Sequence, residues 1–279
     1  DLTAYLSARA LAKRRDIELS LGRSVTGIKA GVDISGGTIA TFLSVSELSP
    51  SQLEGINDPY WLTAVKGLPP TFRLAYTLPY SKIHGGISIM GSINEKIVNR
   101  TWGLLEARAQ SVHDGGESTF RYGPNFRYEE FTVLPSRIFG LIFSIGLLLG
   151  MGAMTLPPVR WFLQKFGTQP GTGPKQAFGD TKKTIQMINV TSTDGPNPDH
   201  VKTEVTFHGE AYVITAVTAV ESALAILFDH GQLPKLGQAG GILTPMSALG
   251  DTLVKRLLNS SYLTYETHTL HPKDSHKTK

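Results

Sequence analysis

The chain has 279 residues, 41% of them hydrophobic and 18% charged, with 29 Gly and 16 Pro; this is a folded composition, neither disordered nor fibrous, and enough for one large or two small domains. It contains no cysteine, which excludes a disulfide scaffold, a thiolate zinc site, an iron–sulfur cluster and a cysteine nucleophile together. The net charge of +4 is far from the concentrated basic stripe of a nucleic-acid binder, so nucleic acid is not expected as a partner.

Asp1 is read as the N-cap of an opening helix whose apolar side is Leu2, Tyr5, Leu6 and Leu11. No charged segment with an apolar core and a cleavage site precedes it, so no signal peptide is expected and an intracellular location is inferred. A helix starting at residue 1 suggests further sequence upstream. Residues 17–22 and 28–34 are predicted strands with a turn at 24–27 between them. Ser35, Gly36, Gly37 and Thr38 then open an apolar helix that stops before Ser49 and Pro50. Residues 58–61 and 67–70 are loop, and 72–78 a further strand.

The pattern Ser92-Ile93-Asn94-Glu95 is a capping box for a helix to about residue 106, with Ile93, Ile97, Val98, Thr101 and Leu105 on one side. Residues 107–116 form a polar excursion and 126–134 a strand. Residues 184–190 and 201–208 make an antiparallel pair, the second with Val201, Val205 and Phe207 inward and Lys202, Glu204 and His208 outward. Residues 211–228 are apolar on every side and are predicted as a buried central helix. Its one charge, Glu221, is either paired, shifted in pKa or turned to the solvent edge. Thr244 caps a last helix with Pro245 at its first position and Met246, Leu249, Leu253 and Leu257 inward; 263–267 is a short final strand. The fold class is therefore α+β: a mixed, largely antiparallel sheet flanked by helices, with a long apolar helical segment.

No phosphate-binding P-loop, zinc-protease helix or nucleophile elbow occurs. No predicted strand runs into G-x-G-x-x-G at a helix start, so the chain by itself has no recognisable dinucleotide seat. The nearest substitute is Ser35-Gly36-Gly37-Thr38, which reads either as a ligand loop or as a tight turn. Tyr80 and His84, four residues apart before a Gly-Gly pair, are the candidate proton-transferring pair, a surface loop being the alternative. The histidines His268, His271 and His276 belong to a polar tail, 267–279, rather than to a metal site. Asn-x-Ser/Thr triplets at Asn99, Asn189 and Asn259 carry no weight without a secretory signal.

Residues 138–156 form 19 uncharged positions, about 28 Å as a helix against a bilayer core of about 30 Å. Gly146 and Gly150 make a GxxxG within it. Basic residues on both flanks set no orientation, and a span would divide one sheet between two compartments. The run is read as docking on a membrane surface, closing an apolar pocket, packing as a core helix, or spanning.

Several segments read together resemble the saccharopine dehydrogenase-like oxidoreductases, which include trans-acting enoyl reductases. They are Asp1-Leu2-Thr3-Ala4-Tyr5-Leu6, Ser35-Gly36-Gly37-Thr38, Asn57-Asp58-Pro59-Tyr60, Ile89-Met90-Gly91 with Val98-Asn99-Arg100, Phe126-Arg127-Tyr128-Glu129-Glu130, and Gly240-Gly241-Ile242-Leu243-Thr244-Pro245. Gly209-Glu210-Ala211-Tyr212 departs from the family's Gly-Asp-Pro-Gly-Tyr by losing its proline. The resemblance implies an N-terminal NADP-binding Rossmann domain that this chain lacks, so NADP(H) is implied for the family but not bound by this chain alone. It implies a substrate and dimerisation domain over 1–266, with an apolar insert at 138–166 and a disordered polar tail at 267–279. It places Ser35, Gly36, Gly37, Thr38, Met90, Tyr128 and Tyr212 at substrate or cofactor.

The expected function is the C-terminal part of an NADP-dependent enoyl or acyl reductase of lipid or polyketide biosynthesis. Its partners would be an apolar lipid or polyketide-like substrate, a membrane or lipid-droplet surface and a second copy in a homodimer; no metal is expected. The alternatives are a non-redox protein on the same scaffold, either lipid-surface associated or a cofactor-free isomerase or cyclase, and an inactive decayed gene product.

Overall fold

The computed structural model describes residues 1–13, 19–29, 36–111, 120–167 and 183–270, with backbone only at Gly36, Thr38 and Ile39. The helices are α1 (Leu2–Ala12), α2 (Gly36–Ser46), α3 (Pro50–Asn57), α4 (Gly91–Ser111), α5 (Arg137–Ala153), α6 (Pro157–Phe166), α7 (Ala211–Phe228), α8 (Lys235–Ala239), α9 (Pro245–Ala248) and α10 (Gly250–Asn259). The strands are β1 (Leu21–Lys29), β2 (Ala75–Thr77), β3 (His84–Ile87), β4 (Arg127–Leu134), β5 (Thr184–Thr193), β6 (His200–His208) and β7 (Leu263–Leu270). They form one sheet in the order β2-β3-β4-β1-β5-β6-β7. Only β1 and β4 pair in parallel; the other neighbours are antiparallel. The α+β architecture with a mixed, mostly antiparallel sheet is as the pattern predicts.

The front face carries α1, α4, α9 and α10. Leu11, Val98, Trp102, Tyr122 and Phe126 fill one part of its core, and Tyr5, Val205, Met246, Leu253 and Leu263 another. Between α1 and the sheet lies a buried layer of small polar side chains. Asn189 on β5 donates to Ser24 and Thr26 on β1, both at 2.9 Å, and its Oδ1 accepts from Ser7 of α1 and from Thr191, both at 2.7 Å. Asn189 and Asn99 are both buried, so two of the three Asn-x-Ser/Thr triplets present their Asn to the interior.

That layer explains one correction. The predicted turn at 24–27 is the middle of β1, an unbroken strand. Its small polar residues look like turn chemistry, but Ser24 and Thr26 point at the polar layer. The back face is covered near its centre by the β2–β3 hairpin, whose Tyr76 and Leu78 pack on Val25, Phe131 and Val190.

Other boundaries move by small amounts. The helix expected from a capping box at Ser92 already starts at Gly91 and continues to Ser111, into the expected polar excursion. A helix not expected, α3, follows Ser49, whose side chain pairs with Gln52 in a capping box. The last helix breaks into α9 and α10 at Leu249, though Met246, Leu249, Leu253 and Leu257 all face inward. Strand β7 runs to Leu270, taking the first four residues of the expected tail, 267–270; His271 and His276 lie outside the described residues.

Two apolar helices project from this body. Helix α5 is seated on β3 by its first half, where Ile87 N–H donates to Ser144 Oγ at 2.8 Å. Only Gly140 and Ser144 of α5 are buried. Pro157 and Pro158 stop continuation of the helix, and α6 leaves at 96° to α5. Helix α7 is not the buried central helix expected. Only Ile214 and Ala225 are buried, because it packs mainly on α10 at the edge of the front layer. Among the described residues α7 is long and apolar enough to cross a membrane, and α5 with α6 meets the same measure as a bent pair. Glu221 of α7 is paired: Arg256 reaches it and Asp229, each at 2.8 Å.

Candidate functional site

The segments that carry the resemblance lie far apart in sequence, and folding brings most of them to the end of the front layer where α1 begins. The Asp1 carboxylate accepts from Thr101 Oγ1 of α4 at 2.7 Å and from the Met246 amide of α9 at 3.3 Å. Thr101 and Thr244 hydroxyls lie 2.6 Å apart. Asn99 donates to the Pro59 carbonyl at 3.0 Å. The Arg100 guanidinium donates to two carbonyls, Leu62 and Ile242, tying the loop after α3 to the loop before α9. The first loop lies directly on α4 because residue 103 is glycine: a Cβ there would stand 1.9 Å from Thr63 Oγ1.

Strand alternation sorts the adjacent carboxylates of β4 onto opposite faces. Glu129 turns to the back, where Arg23 binds it in a fork at 2.5 and 2.8 Å and Arg73 lies at 3.4 Å. Glu130 turns to the front and accepts from Ser88 at 2.8 Å, Asn94 at 3.0 Å and Tyr128 at 3.0 Å. Burial and the Glu130 charge push the Tyr128 phenol well above its usual range. Glu130 thus fixes the turn carrying Met90 against β4, and Met90 and Tyr128 come to one neighbourhood. Glu95, next to Asn94 on α4, is the group the sequence reading misses. Burial lifts its carboxyl to about 7, with Glu129 and Glu130 adding to the rise and Lys96 opposing it. A carboxyl poised there can hold or release a proton near neutrality. The capping-box pattern assigns Glu95 to a helix end, which hides this.

A raised folded-state pKa means that the folded protein binds the extra proton. The stabilisation is complete below the unfolded value of 4.5 and declines as pH rises through about 7. Replacing Glu95 by Gln should therefore add about 1–2 kcal/mol at about pH 8 and nothing at about pH 4.5, after allowance for partial solvent exposure. Urea denaturation of both proteins at the two pH values checks this.

Beside this polar centre runs a cavity of about 640 Å³ whose walls include Trp61, Leu62, Ile97, Arg100, Ile242 and Pro245. Asn94 and Ile97 are one turn apart on α4, so the Glu130 cluster and the cavity share a stripe of that helix.

The remaining expected residues lie elsewhere. Tyr80 and His84 do not form a pair. The hairpin register sets His84 opposite Thr77, and their side chains bond at 3.0 Å. Tyr80, at the hairpin tip with φ +56°, reaches across the back face to His200 Nε2 at 2.7 Å. His200 Nδ1 lies 2.8 Å from Ser192 Oγ, and burial lowers the imidazole pKa. Four-residue spacing predicts adjacency on a helix, and this segment is a strand hairpin. Tyr212 sits on the first turn of α7, past His208 at the end of β6; that is about 17 Å along the strand from Thr203, the residue level with Glu130 across the sheet. Ser35 lies outside the described residues, as does the side chain of Thr38; the Gly37 carbonyl accepts from Thr41 inside α2. Among the described residues no glycine-rich strand-to-helix turn is present for a pyrophosphate.

No family model matches this chain, and no solved structure matches it. It is similar to trans-acting enoyl reductases. That of Mycobacterium ulcerans (strain Agy99) is 29% identical over 248 residues, 80% of this chain and 54% of the relative. That of Mycobacterium bovis (strain BCG / Pasteur 1173P2) is 26% identical over 246 residues, with the same two shares. The chain thus spans about half the length of the curated relatives it matches.

Proposed function

We propose that this chain forms the acyl-binding part of an enoyl reductase acting on lipid or polyketide-like chains, on a saccharopine dehydrogenase-like scaffold. One observation carries this reading. Two segments of the resemblance, at Arg100 and at Ile242–Pro245, line one cavity, and those around Met90 and Tyr128 meet at the adjoining Glu130 cluster, in a chain similar over 80% of its length to trans-acting enoyl reductases. A reduced nicotinamide coenzyme, NADPH in this reading, would supply the hydride from outside the described residues. This chain's residues bind and orient the acyl group. The test is reduction of hexadec-2-enoyl-CoA with NADPH by the protein at its natural encoded length, with the saturated product identified by mass spectrometry. A folded protein that forms no saturated product with either nicotinamide overturns the reading.

The α5–α6 arm supports a second element of this reading, a lipid surface as partner. Phe139, Ile142, Leu149, Trp161, Phe162 and Phe166 are all exposed. Arg137, Arg160 and Lys165 occupy the ends and polar side of the pair, and Lys165 lies 4.9 Å over the Trp161 ring. A right-angled apolar pair with basic and aromatic borders suits in-plane insertion at the headgroup boundary. The protein should float with phosphatidylcholine vesicles, and more strongly when phosphatidylglycerol is included. The double variant Ile142→Asp, Leu149→Asp should lose flotation with its melting temperature unchanged.

A further inference from the structure

We infer that the groove between Trp61 and Ile242 holds the hydrocarbon chain of a long-chain acyl thioester, with Arg100 facing its carbonyl end. The thioester rests on the proposed function; the chain rests on the groove itself.

Trp61 and Ile242 are 64% and 86% exposed, respectively. Burying an isoleucine side chain is worth about 1.5–3 kcal/mol, so leaving one in water forfeits most of that. Neither is exposed because its loop is loose. The Trp61 ring lies on α3, so closely that a Cβ at Gly55 would meet it at 2.6 Å, and its loop is seated on α4 at Thr63. Ile242 follows Gly240 and Gly241, at φ +78° and +126°, values that side-chain-bearing residues rarely adopt. Those two residues turn the chain out from α8, and Arg100 then fixes the Ile242 carbonyl.

Two apolar side chains are thus held apart by rigid contacts on either side of a cavity of about 640 Å³, within the usual range for a small-molecule site. The walls between them are Leu62, Ile97 and Pro245. Arg100 has no carboxylate partner among the described residues, and its two assigned hydrogen bonds go to neutral carbonyls. A guanidinium on the wall of an apolar groove, bonded among the described residues to neutral carbonyls, fits a chain with a polar carbonyl end, not a charged peptide. A smaller cavity of about 350 Å³ beside α1 is less suited, because Arg9 and Asp251 on its wall form an ion pair at 2.5 Å.

The experiment titrates the full chain with hexadecanoyl-CoA, hexadecanoate and acetyl-CoA, followed by calorimetry and tryptophan fluorescence. Hexadecanoyl-CoA and hexadecanoate should bind within about tenfold of each other, and acetyl-CoA about a hundredfold more weakly. Ile242→Asp should weaken both long-chain ligands about tenfold or more with an unchanged melting temperature, and Ile242→Val should retain their binding. Equal affinity for acetyl-CoA, or wild-type affinity in Ile242→Asp, overturns the inference. So does an Ile242→Asp protein that turns from dimer to monomer with acyl binding intact, since the surface then belongs to a second copy. The two readings fail separately. Long-chain binding that Ile242→Asp abolishes, in a protein that reduces no enoyl thioester, leaves the groove and removes the reductase. Reduction with an unchanged preference for chain length in Ile242→Asp leaves the reductase and removes the groove.

Discussion

Replacing Asn189 with Leu should destabilise the protein by about 3–4 kcal/mol. The amide makes four hydrogen bonds in a space closed to water, two donated to Ser24 and Thr26 and two accepted from Ser7 and Thr191. Leucine has the same branched shape and number of side-chain heavy atoms and is the larger, so none of the loss would come from a cavity. The loss comes from hydroxyls left without their partner, at about 1–3 kcal/mol each when nothing replaces it. The simple sum is larger than expected because some hydroxyls keep a second partner: Ser24 lies 2.8 Å from Thr191, and Ser7 lies 2.8 Å from Thr203. Asn189→Asp should also destabilise, since it removes both donors and buries a charge, and its loss should shrink at low pH as the carboxyl protonates. Urea denaturation at neutral and acid pH separates the two variants. A loss below about 1 kcal/mol for Asn189→Leu would mean that water reaches the layer.

Gly140→Leu should lift α5 from the sheet at a cost of about 2–3 kcal/mol, while Gly146→Leu and Gly150→Leu should be neutral or stabilising. A Cβ at residue 140 would stand 2.1 Å from the Gly85 carbonyl oxygen, a backbone atom that cannot swing aside. The helix would have to move away, breaking the Ile87–Ser144 bond that seats it. At 146 and 150 a Cβ meets nothing within 4 Å, and leaving glycine in a helix interior returns up to about 1 kcal/mol. Thermal denaturation of the three variants, with hydrogen exchange at Ile87, reports both stability and seating. Equal behaviour of all three would contradict the close packing of α5 on β3.

These glycines show where sequence reading reaches its limit. The GxxxG spacing of Gly146 and Gly150 is visible in the sequence, yet the glycine in close contact is Gly140, because that requirement comes from β3. In the same way, the four-residue interval pairs Tyr80 with His84, whereas the hairpin sends Tyr80 to His200, 120 positions onward. Glu95 carries the local signature of a helix cap, and its high pKa arises mainly from burial, to which the charges of Glu129 and Glu130 add.

Sequence alone determined what local forces decide. Alternation placed Val201, Val205 and Phe207 inward, Thr244 and Pro245 opened a helix, and the mixture of paired strands and helices implied an α+β sheet. It also showed that residues 138–156 carry no charge and that 211–228 have apolar residues on every side. Tertiary structure decided the rest. It left both apolar helices largely exposed, made the small polar residues of β1 half of a buried network, and gathered dispersed motifs around Arg100. The physical reason is range. Backbone dihedrals and side-chain periodicity act over a few residues and are written in the chain order, whereas burial, desolvation and hydrogen-bond partners depend on which distant segments arrive at the same place.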